Sequence, residues 1–371
     1  MKKKMLLISN MYPSTKATYY GTFVRDFHLK ANEFFDVKLI CLHKENNKLL
    51  KLISYFFFYI KIVFGICIFH YDIVYAHYVS HVAKPLLFCK KLKDYRLFIN
   101  VHGSDVLPPK KSLGEKFLPY TRAILLKAER VIVPSYYFFS VMREEFNLSP
   151  DNISVYPSGG VNPAIFHVMS DETKHKTIAK YDLSYDYEYI GFASRLIKEK
   201  GWKIYLEAVC ALLRDRPDFG EKYRFILIGS GPCEVEVDNF INKENLNVYV
   251  RRFLSLPQNE LSSLFNLLSW FIFPSESESL GLVGLEAMAC AVPVIATNFA
   301  GPTTYVKDDI NGLLFNKGEA IDLERALIAA LDMDKERYNT LKNNCIATAM
   351  RYMGEELQES FMDIFRKGNL I

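Results

Sequence analysis

Residues 274–297 read PSESESLGLVGLEAMACAVPVIAT. The apolar run just before them, Trp270–Phe273, is short and unbroken, as a strand buried on both faces requires. A polar loop follows and turns through Gly281 into a helical pattern, Leu282–Ala289. Strand, loop and helix in this order make an anion cradle. Gly281 lets the backbone approach a ligand, and the unpaired N–H groups and positive dipole end of the helix suit a phosphate. Glu278 stands before the helix and Glu286 about a turn inside it, eight residues further on. Two carboxylates beside an anion site make electrostatic sense when each accepts hydrogen bonds from hydroxyls, which a sugar nucleotide offers at both of its ends.

Outward from this stretch the same theme repeats. In the second half of the chain Tyr189–Ala193, Tyr223–Ile228, Val248–Arg251, Val292–Ala296 and Gly312–Phe315 are further candidate strands, with helical patterns around Tyr205–Leu213 and Asn259–Leu267. In the first half Met5–Ser9, Val37–Cys41, Ile73–Ala76, Leu97–Val101, Arg130–Val133 and Ile153–Tyr156 are the candidates. Alternation of this kind builds parallel sheets covered by helices, here twice over. The polar segment Asn162–Asp186 is the expected domain junction. The expected fold is α/β, with two Rossmann-like doubly wound domains facing a central cleft and ligands at the carboxyl ends of the strands.

Composition agrees. A chain of 371 residues should hold two domains at roughly 100–200 residues each. Half of the residues are hydrophobic and 24% charged, which excludes disorder and low complexity. Seven cysteines without a C-x-x-C pairing fit neither a disulfide framework nor a zinc cage, so free thiols in a reducing compartment are expected. The net charge of +4 divides unevenly: residues 1–165 hold 23 Lys and Arg against 12 Asp and Glu, and the remainder 23 against 30. A basic first half suggests attraction to something anionic, nucleic acid or a phosphate-rich membrane face, although solvated surface lysines give the same count.

Two apolar segments imitate targeting or membrane signals. Lys2-Lys3-Lys4 before Met5–Ile8 resembles the start of a secretory leader, but the apolar run is only four residues and a polar, Pro-containing loop follows. Leu52–Phe69, LISYFFFYIKIVFGICIF, has the length of a short span with Lys61 at its middle, where a charge is expensive. The readings open to it are a span, a helix buried against a parallel sheet, and a helix whose aromatics face a bilayer while Lys48, Lys51 and Lys61 meet lipid phosphates.

The chain resembles the family 4 retaining nucleotide-sugar glycosyltransferases, which have the GT-B fold and include bacterial polysaccharide-biosynthesis members. The Glu-x7-Glu spacing of Glu278 and Glu286 is their most characteristic motif, and further likeness lies in Gly21-Thr22-Phe23, Val101-His102-Gly103-Ser104-Asp105, Pro157–Asn162, Ala193–Gly201 and Ile228–Pro232. The resemblance implies that Arg195 and Lys200 neutralise the leaving diphosphate of the donor. It implies that Glu286 accepts from ribose hydroxyls and Glu278 from those of the transferred sugar, with the amides of Ser279, Leu280, Gly281 and Leu282 completing the contacts. His102 would face the donor sugar, with Asp105 nearby on the acceptor side, and Gly21 would admit phosphate and acceptor to the first loop. It also implies domains of residues 1–165, joined by a carboxyl-terminal helix at about 350–371, and 166–349. That helix belongs to a helical stretch from Lys335 to Lys367 expected to cross back to the first domain.

The implied activity moves a sugar from a nucleotide-diphosphate sugar to a hydroxyl of a glycan or polyprenyl-diphosphate-linked acceptor in cell-surface polysaccharide synthesis, such as capsule or exopolysaccharide. It would proceed with retention and with no metal or other cofactor, the leaving phosphate helping to deprotonate the acceptor. The location implied is cytoplasmic and peripheral on the inner membrane face. His77 and His81 lack an evident third zinc ligand, Asp332-Met333-Asp334 sits in a charged helical stretch, and Asp308-Asp309 precede a turn, so no metal site is expected. Ala291, Ala300 and Thr304 depart from the family pattern, the first two standing where glycine is usual and the third where a Glu is common. Rival functions are a sugar-nucleotide epimerase of related fold, a non-catalytic module of an assembly complex, and a nucleic-acid binder, the last disfavoured by the lack of a recognised binding motif.

Overall fold

The computed structural model describes residues 2–17, 20–366 and 370. The chain divides into two compact units, Met1–Gly159 with Leu357–Ile371, and Gly160–Glu356.

The first unit is built on six parallel strands, β1 (Lys4–Ser9), β2 (Asp36–Cys41), β3 (Ile73–His77), β4 (Leu97–Asn100), β5 (Arg130–Val133) and β6 (Ile153–Val155), in the order β2-β1-β3-β4-β5-β6. Alternate residues of β1 feed two cores. Leu6 and Ile8 pack with Phe58, Ile62 and Ile66 of the Lys48–Ile68 helix, and Met5 and Leu7 pack with Phe27 and Ala31 of the Thr22–Phe34 helix. A strand apolar on both sides needs cover on both faces, which right-handed crossovers supply. The end of the chain completes that cover. Phe361, Ile364 and Phe365 of the Gly354–Arg366 helix join the core of Tyr75 and Phe98, with Phe365 and Phe98 stacked at a ring-centroid distance of 6.0 Å.

The second unit repeats the plan with β7 (Glu188–Ala193), β8 (Tyr223–Ile228), β9 (Val250–Phe253), β10 (Leu268–Phe273), β11 (Val294–Thr297) and β12 (Gly312–Phe315), all parallel, in the order β12-β11-β10-β7-β8-β9. Along β7, Ile190 and Phe192 enter one core while Tyr189 and Ala193 enter the other. The strand order reverses between β7 and β10, and in the first sheet between β1 and β3. Ligands of doubly wound sheets sit at such points.

All twelve expected strands are present, with ends shifted by no more than two residues. The division falls at Gly159/Gly160, just before the expected junction Asn162–Asp186, and that segment is packed into the second unit. Phe166 is buried against Phe265, the Ser262 hydroxyl donates to the Ile165 carbonyl at 2.6 Å, and Ser170 caps the helix Asp171–Lys180. The stretch beyond Lys335 is two helices. Lys335–Met350 stays in the second unit with Leu341, Cys345 and Ala349 buried, the chain turns through Gly354 (φ 51°), and only residues from Leu357 onward belong to the first unit. Lys367 lies outside the described residues.

Because Phe365 is fully buried among Phe35, Tyr75 and Phe98, Phe365→Ala should lower the stability of the first unit by about 3–5 kcal/mol in denaturant titration.

Candidate functional site

Strands β7 and β10 are neighbours that run the same way, so the loops after Ala193 and Phe273 leave from one edge of the sheet. Backbone and side-chain bonds join the two loops. The Glu276 N–H donates to the Glu199 carbonyl at 2.8 Å, and the Ser275 hydroxyl reaches the same carbonyl at 3.4 Å. Lys200 and Glu278 form an ion pair, with their side chains 22% and 17% exposed. The Lys200 ammonium also donates to the Ser277 carbonyl at 3.4 Å. Beside the pair opens a pocket of about 330 Å³ with Arg195, Lys200, Glu278, Gly281 and Leu282 on its walls, and Ile228, Leu256 and Leu261 as an apolar side. Arg195 is exposed and makes no ion pair among the described residues.

Gly281 adopts φ 86°, and a Cβ there would stand 2.5 Å from the Phe273 ring, so the turn into the Leu282–Ala289 helix requires glycine. No side chain caps that helix. Its first turn therefore keeps N–H groups for a ligand or water. Tyr305, fully enclosed, donates its hydroxyl to the Gly281 carbonyl at 2.8 Å, and the Gly301 N–H donates to the Glu278 carbonyl at 3.2 Å. The loop after β11 thus braces the turn. Glu286 is half-buried on the helix, and burial pushes its carboxyl up to about 7. At neutral pH it is poised between its acid and its anion.

Of the expected second-unit residues, Arg195, Lys200, Glu278, Gly281 and Leu282 line this one pocket. Glu286 stands a turn further along the helix, off the pocket wall. Leu280 is 2% exposed with its side chain in the core, and Ser279 precedes it in the loop, also off the wall.

In the first unit Gly21 precedes the Thr22–Phe34 helix with φ 76°. A Cβ there would meet the Met11 carbonyl carbon at 2.9 Å, so glycine is what brings the two ends of the first loop together. His102 lies just past β4 and its Nε2 is 3.0 Å from His77 Nδ1, with the Phe23 ring 4.4 Å from its own. Burial holds His102 down to about 3 and His77 well below its ordinary value, so both imidazoles are neutral at physiological pH. His77 Nε2 is buried without a hydrogen-bond partner among the described residues. Asp105, expected on the acceptor side, is instead fully buried. Its oxygens accept from the backbone N–H of His102 at 2.9 Å and of Val79 at 3.1 Å, which makes it a positioning residue for the His102 loop. Burial raises it to about 6 against the pull of those amides.

The other acidic and histidine motifs have structural partners. Asp332 pairs with Arg216 at 2.9 Å, Asp334 caps the Lys335–Met350 helix, and Asp308 and Asp309 shape a turn, the first accepting from Leu314 N–H at 2.8 Å and the second pairing with Arg337. His81 packs against Tyr55 and Phe117. Among the described residues no three His, Cys, Asp or Glu side chains form a metal-binding group. Sequence reasoning passed over Tyr305 and the contact of His77 with His102. The first acts through a backbone carbonyl and leaves no spacing signal. The second follows from the pairing of His77 with Asn100, which carries His102 to the same edge.

Residues 26–161 match the family model described as Glycosyltransferase Family 4, and residues 173–347 that described as Glycosyl transferases group 1. The chain belongs to the family 4 glycosyltransferases, and its fold is GT-B. Among curated proteins it is similar to an uncharacterized glycosyltransferase of Methanocaldococcus jannaschii, 27% identical over 274 residues that make up 74% of this chain and 69% of that one. It is also similar to the D-inositol 3-phosphate glycosyltransferase of Acidothermus cellulolyticus, 26% identical over 315 residues, 80% of this chain and 67% of that one. It thus spans about two thirds of the length of these relatives. Among solved structures the Anabaena protein HepE in complex with UDP superposes with a TM-score of 0.77 at 18% identity, covering 100% of both chains.

Ala300 has φ 59° and ψ −139°, and Ala291 has φ 60°, conformations that suit glycine and strain a Cβ. Ala300→Gly and Ala291→Gly should each raise stability, by about 1 kcal/mol, in thermal melts.

Proposed function

We propose that this chain transfers a sugar from a nucleoside-diphosphate sugar to a hydroxyl of a glycan or lipid-linked saccharide, with retention of configuration, in the synthesis of a cell-surface polysaccharide at the inner face of the membrane. The observation that carries the reading is the pocket at the β7/β10 reversal, where two cations, a carboxylate and a glycine turn at a helix N-terminus meet an apolar wall. A diphosphate suits Arg195, Lys200 and the helix amides, and a planar base suits Ile228, Leu256 and Leu261. Similarity to HepE, solved with UDP, supports a nucleoside diphosphate as the leaving group. Glu278, beside Lys200, is assigned to the sugar hydroxyls, and Glu286 to those of the ribose.

In the proposed step the acceptor oxygen bonds to the anomeric carbon on the face that the phosphate leaves. The C–O bond to phosphate breaks with its electron pair going to the diphosphate, and the acceptor proton passes to a departing phosphate oxygen. Arg195 and Lys200 stabilise the charge that develops there, so no divalent cation is needed and no side chain is a nucleophile. Gly21 and the neutral His102, held by Asp105, are assigned to the sugar and acceptor rim of the first unit. A neutral imidazole at that rim offers polar contacts without competing for the diphosphate.

Incubation with a panel of nucleotide sugars, followed by nucleotide release and by isomer analysis of the remaining sugar, tests the assignment. Release from one donor, undiminished by a chelator and reduced about a hundredfold or more in Lys200→Ala, is expected. Isomerised donor without release points to the epimerase instead. Hydroxyls donating to Glu286 favour its anion and lower its pKa from about 7, so donor binding should release a proton and tighten as pH rises through that value. Calorimetry in buffers of different ionisation enthalpy reads this, and Glu286→Gln should abolish the pH slope.

A further inference from the structure

The Lys48–Ile68 helix has two apolar stripes on opposite sides, and only one of them is covered. Phe58, Ile62, Gly65 and Ile66 are buried against the first sheet. Leu49, Ile53, Phe56, Phe57, Ile60 and Phe64 recur at helical spacing on the other side and are 43–66% exposed. Exposed residues of this size normally occur singly on a soluble surface, and a continuous stripe marks a docking face.

The helix is fastened at both ends. Asn47 Oδ1 accepts from Leu49 N–H at 2.9 Å and from Leu50 N–H at 3.2 Å, and the Lys93 ammonium donates to the Ile66 and Phe69 carbonyls at 2.9 and 2.7 Å. Crossing a bilayer would break these bonds and uncover the buried stripe, so what covers the outer stripe must come to it. The charge around it selects the occupant. This helix and the Ala83–Leu92 helix packed beside it carry six lysines and no carboxylate, and the latter adds exposed Phe88 and Leu92. Of the six, Lys90 is paired with Asp94, while Lys48, Lys51 and Lys61 are exposed. A second copy of the chain meeting this face across a two-fold axis would bring lysines against lysines with no carboxylate from these helices between them. An anionic bilayer offers what both features need, acyl chains for the stripe and phosphates for the ammonium groups.

We propose that the Leu49–Phe64 stripe is a membrane-insertion surface, with the helix lying in the plane of an anionic bilayer, its Phe and Leu side chains among the acyl chains and its lysines at the headgroups. The surface rests on the lipid-linked acceptor reading above for its purpose, since it would hold the enzyme where such an acceptor lies.

Flotation of the full chain with phosphatidylglycerol–phosphatidylcholine vesicles tests it, alongside nucleotide release from a soluble donor. The parent should float at low salt and in part at high salt. Phe56→Ser/Phe64→Ser should lower partitioning by about tenfold or more at either salt, while Lys48→Glu/Lys51→Glu/Lys61→Glu should lose binding to anionic vesicles. Melting temperature and nucleotide release should stay at parental values in both. A parent that stays at the bottom of the gradient at low salt, a double serine variant that floats like the parent, or light scattering that shows a parental dimer split by the serine substitutions would each overturn the surface. Nucleotide release that persists in those cases leaves the glycosyltransferase reading standing, and flotation without release from any donor sinks that reading alone.

Discussion

Lys200 and Glu278, 78 residues apart in the chain, hold each other at the place where the second sheet reverses its strand order. Parallel strands deliver their loops to one edge, but only a bond across the gap makes two loops into one wall. Here that bond is the ion pair, backed by Glu276 N–H on the Glu199 carbonyl. Its members are mostly shielded from water, so removing one would strand the other charge, at a cost of about 3 kcal/mol or less. The pair also sets the electrostatics of the pocket. With Lys200 answered by Glu278, the uncompensated positive field comes from Arg195 and the amides at the start of the Leu282–Ala289 helix. A polyanion that reaches Lys200 must share it with Glu278, and the freed carboxylate oxygens then have lone pairs for hydroxyl donors. On the proposed assignment, binding of charge and binding of carbohydrate are coupled through this one contact.

Much of this architecture was legible because a strand buried on both faces leaves an uninterrupted apolar run. Arg130–Val133, Tyr223–Ile228 and Gly312–Phe315 fall where the pattern places them. The packing of the expected junction was hidden for a related reason. Asp171–Lys180 buries only Thr177 among its residues, so its composition is that of a linker although Phe166 and Ile165 anchor the segment before it. The pocket residues and their meeting around one donor were legible only through the family resemblance, because no local pattern reports a contact between loops so distant in sequence. Ala291 and Ala300 show a second limit. Their departure from glycine is visible in the chain, and their strain only in the torsions.

The Lys48–Ile68 helix defeats pattern reading in another way. Amphipathicity is read from the contrast between an apolar and a polar side, and here both sides are apolar. A span, a core helix and an interfacial helix share that composition. Gly65 separates them, because a Cβ there would lie 3.1 Å from Ile40, a proximity that belongs to a helix pressed on a sheet. With one side so committed, the outer stripe becomes a surface property to be explained separately from the fold.

The charge asymmetry of the chain then acquires a location. At the first unit's strand reversal the chemistry is nearly neutral. His77 and His102 are held uncharged by burial, and Asp105 spends its oxygens on backbone amides. The excess of 23 basic over 12 acidic residues in positions 1–165 is therefore not concentrated in the polar cluster where an acceptor would react. Part of it lies on the Lys48–Ile68 helix that bears the exposed stripe and on the Ala83–Leu92 helix packed beside it. Much of the charge in the second unit is spent at short range in ion pairs such as Arg216–Asp332 and Arg252–Asp238, and the pocket holds one pair and a single arginine. Charge in the first acts at longer range, across a Debye length of about 8–10 Å, and on the proposed reading it bears on where the molecule settles.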